Sequence, residues 1–191
     1  MQRRTFLQRG FAGAFVLATN TAGAQEAGSD KDREVMRQLV AFTRESFATP
    51  YPVPFGAAVI RTGSEEMVAR TLNQVGPLND PTAHGEMQAI RAACKRVDNF
   101  NLGGLTLYTT AEPCPMCMAA ALWAGVDRVV YGATIADIAR HLTQIHLAAR
   151  DLVAYSDNTC EVTGPVERAA CNGLFEDPRM APTLRLWKKR A

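Results

Sequence analysis

The chain has 191 residues, 47% of them hydrophobic, and a formal net charge of +2 at neutral pH. That length and apolar share suit one α/β domain with a sizeable core, and they exclude a low-complexity or repeat chain. Without residues 1–24 the charge moves from +2 to −1, because Arg3, Arg4 and Arg9 go and no acid does, so a general electrostatic pull toward nucleic acid is excluded and no nucleic-acid partner is expected.

Residues 1–24 read as an export signal peptide. Arg3 and Arg4 precede Thr5-Phe6-Leu7, Phe11 to Ala18 form a short apolar run, and Ala22-Gly23-Ala24 is a small-x-small cleavage site. The arginine pair followed by Phe-Leu resembles the twin-arginine type, which places the mature protein in the periplasm. Residues 25–191 then form one domain, with a core at about 31–175 and a C-terminal helix to 190. No stretch of this mature part is long and apolar enough for a stable membrane span.

In chain order, residues 31–48 have helical spacing, with Val35, Leu39, Phe42 and Phe47 as apolar positions. Thr49-Pro50-Tyr51-Pro52 breaks that helix. Residues 54–60 and 66–72 read as strands joined by Arg61-Thr62-Gly63-Ser64, hence a hairpin. A loop over 73–79 leads to a helix that Asp80 would cap, with Pro81 as its first residue, running to about Val97. A strand at 105–110, a helix at 116–123 and a strand at 127–131 follow with short links, which implies a parallel pair. Residues 134–153 are helical in content but poorly patterned. A fifth strand at 160–163 and helices at 165–175 and 183–190 complete the expected α/β class: a three-layer α/β/α sandwich on a mixed five-stranded sheet.

Two short stretches carry the chemistry. His84-Gly85-Glu86 follows Pro81-Thr82-Ala83, and Pro113-Cys114-Pro115-Met116-Cys117 comes one helix and one strand later. A catalytic zinc takes three protein ligands and keeps one position for water. His84, Cys114 and Cys117 supply three. The cysteines stand three apart, so on a helix's first turn their sulfurs share a face, and a helix N-terminus favours their thiolates. Glu86 is not needed as a ligand and is free to move protons. H-x-E followed by P-C-x-x-C resembles the signature of the zinc deaminases.

The likeness extends further. Pro54-Phe55-Gly56-Ala57, Asn79 to Glu86 and Glu112 to Cys117 resemble the cytidine-deaminase-like superfamily, and within it the branch of bacterial guanine deaminases and tRNA adenosine deaminases. The similarity runs from about Lys31 to Phe175 and is strongest between Asn73 and Gly132. It implies a Zn2+ cofactor and hydrolytic deamination of a purine base (guanine-like) or a related small aminated heterocycle, with release of ammonia. It also implies a homodimer with sites near the subunit boundary. In the guanine deaminases the residue matching Asn73 hydrogen-bonds the purine, the one matching Phe55 stacks on it, and Trp123 matches an aromatic near the base pocket. Gly85, where alanine is usual, would turn its N–H toward substrate. Leu142-Thr143-Gln144-Ile145-His146 stands where guanine deaminases carry a Gly-Phe-Asp-Asp-like segment, and His141 or His146 could serve there or be plain surface residues. Val162 to Val166, with Cys171, resembles the end of the tRNA enzymes. A nucleic-acid (tRNA adenosine) deaminase and a non-catalytic zinc- or ligand-binding relative are the alternatives. Of the other cysteines, Cys94 reads as a structural thiol, and Cys160 and Cys171 are a candidate disulfide in an oxidising compartment.

Overall fold

The structure, a computed structural model, describes residues 27–188, and the export-signal expectation lies outside the described residues. Helix α1 (Asp30–Glu45) begins in a capping box: Ser29 Oγ accepts the Asp32 N–H at 3.1 Å, and the Asp32 carboxylate accepts the Ser29 N–H at 2.8 Å. Its buried stripe, Val35, Met36, Leu39 and Val40, has the 3–4 spacing that faces a helix onto a sheet. A 3-10 turn at Ser46–Ala48 ends it where the sequence predicts.

Strands β1 (Gly56–Arg61) and β2 (Met67–Leu72) form the expected antiparallel hairpin, with a register shift between Val59 and Ile60. Strand β3 (Leu105–Ala111) lies antiparallel to β1, and β4 (Arg128–Ala133) lies parallel to β3. A short β5 (Glu161–Thr163) adds parallel to β4, giving the order β2-β1-β3-β4-β5. Every residue of β3 is buried, as a central strand covered on both faces requires. Helices α3 (Gly85–Val97), α4 (Pro115–Ala124) and α6 (Ala149–Val153) cover one face. On the other, α1 packs with α7 (Arg168–Phe175), and α8 (Ala181–Lys188) adds Leu184 and Trp187. This is the α/β/α sandwich that the pattern predicts. Among the described residues no helix is long and apolar enough to cross a membrane.

Three expectations are corrected. The helix at 80 starts four residues late: α3 has His84 as its N-cap. Asp80 Oδ1 instead accepts the Thr82 N–H and hydroxyl, both at 2.7 Å, so its carboxylate is spent on a turn two residues on. The preceding loop contains a one-turn helix, α2 (Val75–Leu78). Residues 134–153 are not one helix. They are α5 (Ile135–Ile138) and α6, with 139–148 non-helical between them. Finally, Cys160 and Cys171 form no disulfide. Cys160 packs with the α3–α4 cluster, and Cys171 is buried on the opposite sheet face. Cys171 is seated tightly over β4: a Cβ added at Gly132 would fall 2.1 Å from its Sγ and 2.8 Å from the Thr110 carbonyl oxygen.

One buried cluster pins α1 to the sheet. Asp32, 2% exposed, accepts two bonds from Arg128 at 2.8 and 3.0 Å and one from the Tyr108 hydroxyl at 2.8 Å. Arg128 also reaches Glu161 and Thr163 on β5. Burial alone would raise the Asp32 pKa, but the Arg128 guanidinium, Ser29 and Tyr108 outweigh it and hold the carboxyl well below the usual range. A carboxyl depressed in the fold contributes stability above its unfolded pKa of about 4, and that stability is lost as pH falls through the folded value. Arg128→Met strands a buried carboxylate and is expected to cost about 3 kcal/mol at pH 7. Urea unfolding should show this deficit wide at pH 7 and narrowing as pH falls below about 4, where Asp32 protonates in the unfolded chain and the wild type begins to lose the contribution of the pair; a deficit independent of pH would refute the pairing as its source.

Candidate active site

The parallel strands β3 and β4 deliver the site. β3 ends at Ala111, the Glu112 N–H bonds the Ala133 carbonyl at the end of β4 at 2.7 Å, and the chain turns at Pro113 into α4. Cys114 is the N-cap of α4, Pro115 is its first residue, and Cys117 lies in the first turn. His84 is the N-cap of α3. Neither residue makes a standard side-chain cap, and imidazole and thiol meet between the two helix starts, with the Cys117 sulfur beside them.

His84 Nδ1 lies 3.7 Å from Cys114 Sγ and 3.5 Å from Cys117 Sγ, and the two sulfurs are 3.7 Å apart. With Zn–S near 2.3 Å and Zn–N near 2.0 Å, tetrahedral geometry puts such donors about 3.5–3.8 Å apart. The three therefore fit one zinc ion, and the donor count is that of a site with one position open. Hydrogen bonding from Cys117 pulls the Cys114 pKa down to about 4, the thiolate a metal takes. The bond to Cys114, together with burial, pushes Cys117 the other way. Burial would lower His84, but the Cys114 bond and the Glu86 charge outweigh it and raise it. Glu86 is 5% exposed; burial pushes its carboxyl pKa up, against the pull of His84.

A cavity of about 390 Å³ opens on these groups, within the small-ligand range of about 300–1,000 Å³. Glu86, His84 and Cys114 line its floor, and Asn73 and Phe55 line one side. Asn73 is buried. Its backbone N–H donates to the Phe55 carbonyl at 3.0 Å and its Oδ1 accepts the Val75 N–H at 3.0 Å, which leaves its NH2 as the donor available to a ligand. The Phe55 ring is stacked on Trp187 at 5.8 Å and set edge-on to Phe175 at 5.2 Å.

Other expected residues lie elsewhere. Gly85 is buried behind the floor and does not line the cavity; its carbonyl accepts the Thr71 hydroxyl at 2.8 Å, and a Cβ there would come 3.3 Å from the Phe55 carbonyl. Trp123 is 82% exposed on α4 and lines no part of the cavity, so its place near a base pocket is not met within one chain. His141 is stacked on Phe175 at 5.6 Å and His146 is exposed, and neither lines the cavity. The sequence reading missed Trp187 and Glu112, which both line it. Glu112 adjoins the quoted Pro113-Cys114 and was the legible one: an acid beside a metal turn has to find partners. Trp187 sits in a stretch whose only sequence signal is a helix end.

An α/β/α sandwich with a buried acid and a His/Cys/Cys group at the strand ends describes the zinc deaminase class. Residues 29–133 match the family described as the cytidine and deoxycytidylate deaminase zinc-binding region, and the chain belongs to that family. It is 45% identical to the guanine deaminase of Bacillus subtilis over 86 residues, which are 45% of this chain and 54% of that protein. It is 42% identical to the tRNA-specific adenosine deaminase of Aquifex aeolicus over 81 residues, 42% of this chain and 52% of that protein. The chain thus spans about half the length of the curated relatives it matches. The solved guanine deaminase of Nitrosomonas europaea superposes with a TM-score of 0.70 at 25% identity, covering 81% of this chain and 88% of that one. The metal is Zn2+, on the family's zinc-binding region and the His84, Cys114 and Cys117 donor group.

Purified protein is expected to carry about one zinc per chain by atomic absorption, with His84→Ala and Cys117→Ala each retaining under about a tenth of it. Chelation should lower the thermal midpoint, because a ligand bound only by the folded state stabilises it.

Proposed function

We propose that this chain is a zinc-dependent aminohydrolase that deaminates a purine base, guanine-like, or a related small aminated heterocycle. The observation that carries the reading is Glu86, a buried carboxyl in the cavity floor beside three metal donors that do not need it. Support also comes from the guanine deaminase relatives.

In the reaction water's oxygen replaces the exocyclic amine on a ring carbon, and ammonia leaves. When bound, zinc supplies the Lewis acidity that lowers the pKa of water toward about 7. Glu86 accepts the proton that water loses, passes it to the adjacent ring nitrogen, and then delivers the second proton to the departing amine. Burial raises its pKa above that of an exposed carboxyl, which suits a group that must both take and give. Phe55 offers a face to the ring, and the Asn73 NH2 donates to a ring acceptor. Both carboxylate oxygens of Glu112 already hold backbone N–H groups, and the far wall offers Thr143 and Gln144. The cavity thus presents amides and a hydroxyl where guanine deaminases carry acids, which favours a guanine-like ring or related heterocycle over guanine alone.

A second reading, a tRNA adenosine deaminase, is favoured by the Aquifex aeolicus relative. The charge of −1 left after residue 24 offers little attraction to phosphates. Ammonia release from a panel of aminated heterocycles, with and without tRNA, separates the two. Turnover of a free base is expected, and Glu86→Gln should lower kcat by about 10³-fold or more with zinc retained. Turnover that requires tRNA would overturn the free-base reading, and inertness of the wild type across the panel would favour a binding role.

The mature protein is further proposed to reach the periplasm by the twin-arginine route, on the Arg3-Arg4 signal, and to act there as a homodimer. The dimer is supported by α4, which carries no charged residue and exposes Trp123 beside the half-exposed Met116, Ala119 and Ala120. A helix apolar all round is one that gets covered. Osmotic-shock release followed by gel filtration tests both points: a dimer in the periplasmic fraction is expected, and protein confined to the cytoplasm or eluting as a monomer would count against the respective part.

A further inference from the structure

One wall of the cavity includes Leu142, Thr143, Gln144 and Ile145, in the non-helical segment 139–148 between α5 and α6. Its hydrogen bonds are local: Leu142 N–H to the Ile138 carbonyl, Leu147 N–H to the Ile145 carbonyl, and Gln144 Nε2 to the Thr143 carbonyl. Among the described residues, none of 143–147 is hydrogen-bonded to another element. What places this wall is packing near its start, with His141 on Phe175 and Leu142 on the α1–α7 cluster, together with the two helices that flank it.

The first residues of both flanking helices meet one side chain. Glu112 Oε2 accepts the N–H of Ile135, the first residue of α5, at 2.9 Å. Its Oε1 accepts the N–H of Ala149, the first residue of α6, at 3.0 Å. Ala148 precedes α6 and has no side chain with which to cap it, so Glu112 supplies the acceptor from 37 residues away. The carboxylate is itself fixed: Glu112 is 8% exposed, its own N–H is held by Ala133, and two residues on comes the metal donor Cys114. Glutamine would not do the same. A carboxylate offers two acceptors, whereas an amide offers one and turns a donor toward the other N–H.

We infer that Glu112 is a positioning residue that clasps α5 and α6, the helices flanking the 139–148 segment, and so sets the distance between the cavity wall and the metal donors. It acts on substrate through that wall. The kinetic part of its test rests on the deamination proposed above, but the structural part does not.

The test compares wild type, Glu112→Gln and Glu112→Ala as zinc-loaded protein, by hydrogen–deuterium exchange and by steady-state kinetics. Exchange at Ile135, at Ala149 and at the hydrogen-bonded amides of 139–142 is expected to rise about tenfold in Glu112→Gln and further in Glu112→Ala, with zinc content and exchange in β1, β3 and β4 unchanged. On the substrate the panel identifies, KM should rise about tenfold while kcat stays within about threefold. Unchanged exchange at those amides would overturn the inference. So would acceleration spread evenly over the sheet with loss of zinc, which marks a general structural role, or a fall in kcat at constant KM, which would put Glu112 on the reacting atoms. If Glu112→Ala does not fold, Glu112→Gln is read by the same criteria. If the wild type turns over nothing, the deamination reading fails and the exchange pattern alone decides the role of Glu112.

Discussion

Two helices have to begin at the same place. His84 and Cys114 are both N-cap residues, and their side chains meet where the two helices start. The sheet enforces this. β3 lies between β1, which packs under α3, and β4, whose parallel pairing needs the crossover through α4. Both crossover ends therefore fall at the same edge of the sheet, and three donors arrive within 4.8 Å of one another before any ion is considered. Glu86 takes its place by the same logic, since it follows the cap by two residues and cannot avoid the cavity floor.

Much of this was legible, and the limits were physical. The hairpin, the buried β3 and the Cys114–Cys117 turn follow from alternation, apolar runs and proline placement, which are local properties. The start of α3 was misread because Asp80 has two uses, a helix cap or a turn at Thr82, and sequence does not rank them. The span 134–153 lacked a helical stripe because only its two ends are helical. Cys160 and Cys171 looked like partners because they are near in sequence, whereas the face of the sheet each residue occupies depends on strand register. Glu112 and Trp187 escaped because their roles are contacts across 23 residues or more: with Ile135 and Ala149 in one case, and with Phe55 in the other.

The two sheet faces divide the labour. The α3–α4 face holds the metal donors, and the α1–α7 face holds the Asp32–Arg128–Tyr108 cluster, which ties α1 to β3, β4 and β5. Phe55 joins them. It precedes β1, lines the cavity, and rests on Trp187 and Phe175 from the opposite layer. Packing on the α1–α7 side thereby fixes an aromatic wall of the site on the other.

Gly132 shows how such packing can resemble chemistry. Any side chain there would collide with Cys171 and with the Thr110 backbone, and the second obstacle cannot be removed by changing a residue. In a saturation-mutagenesis map scored by growth, position 132 would look as intolerant as Glu86. The two kinds of silence differ in origin: one chain has lost the carboxyl proposed to carry protons and the other has lost its fold. Abundance measured beside activity would tell them apart, and a map without it would enlarge the apparent active site by a residue that never meets a substrate.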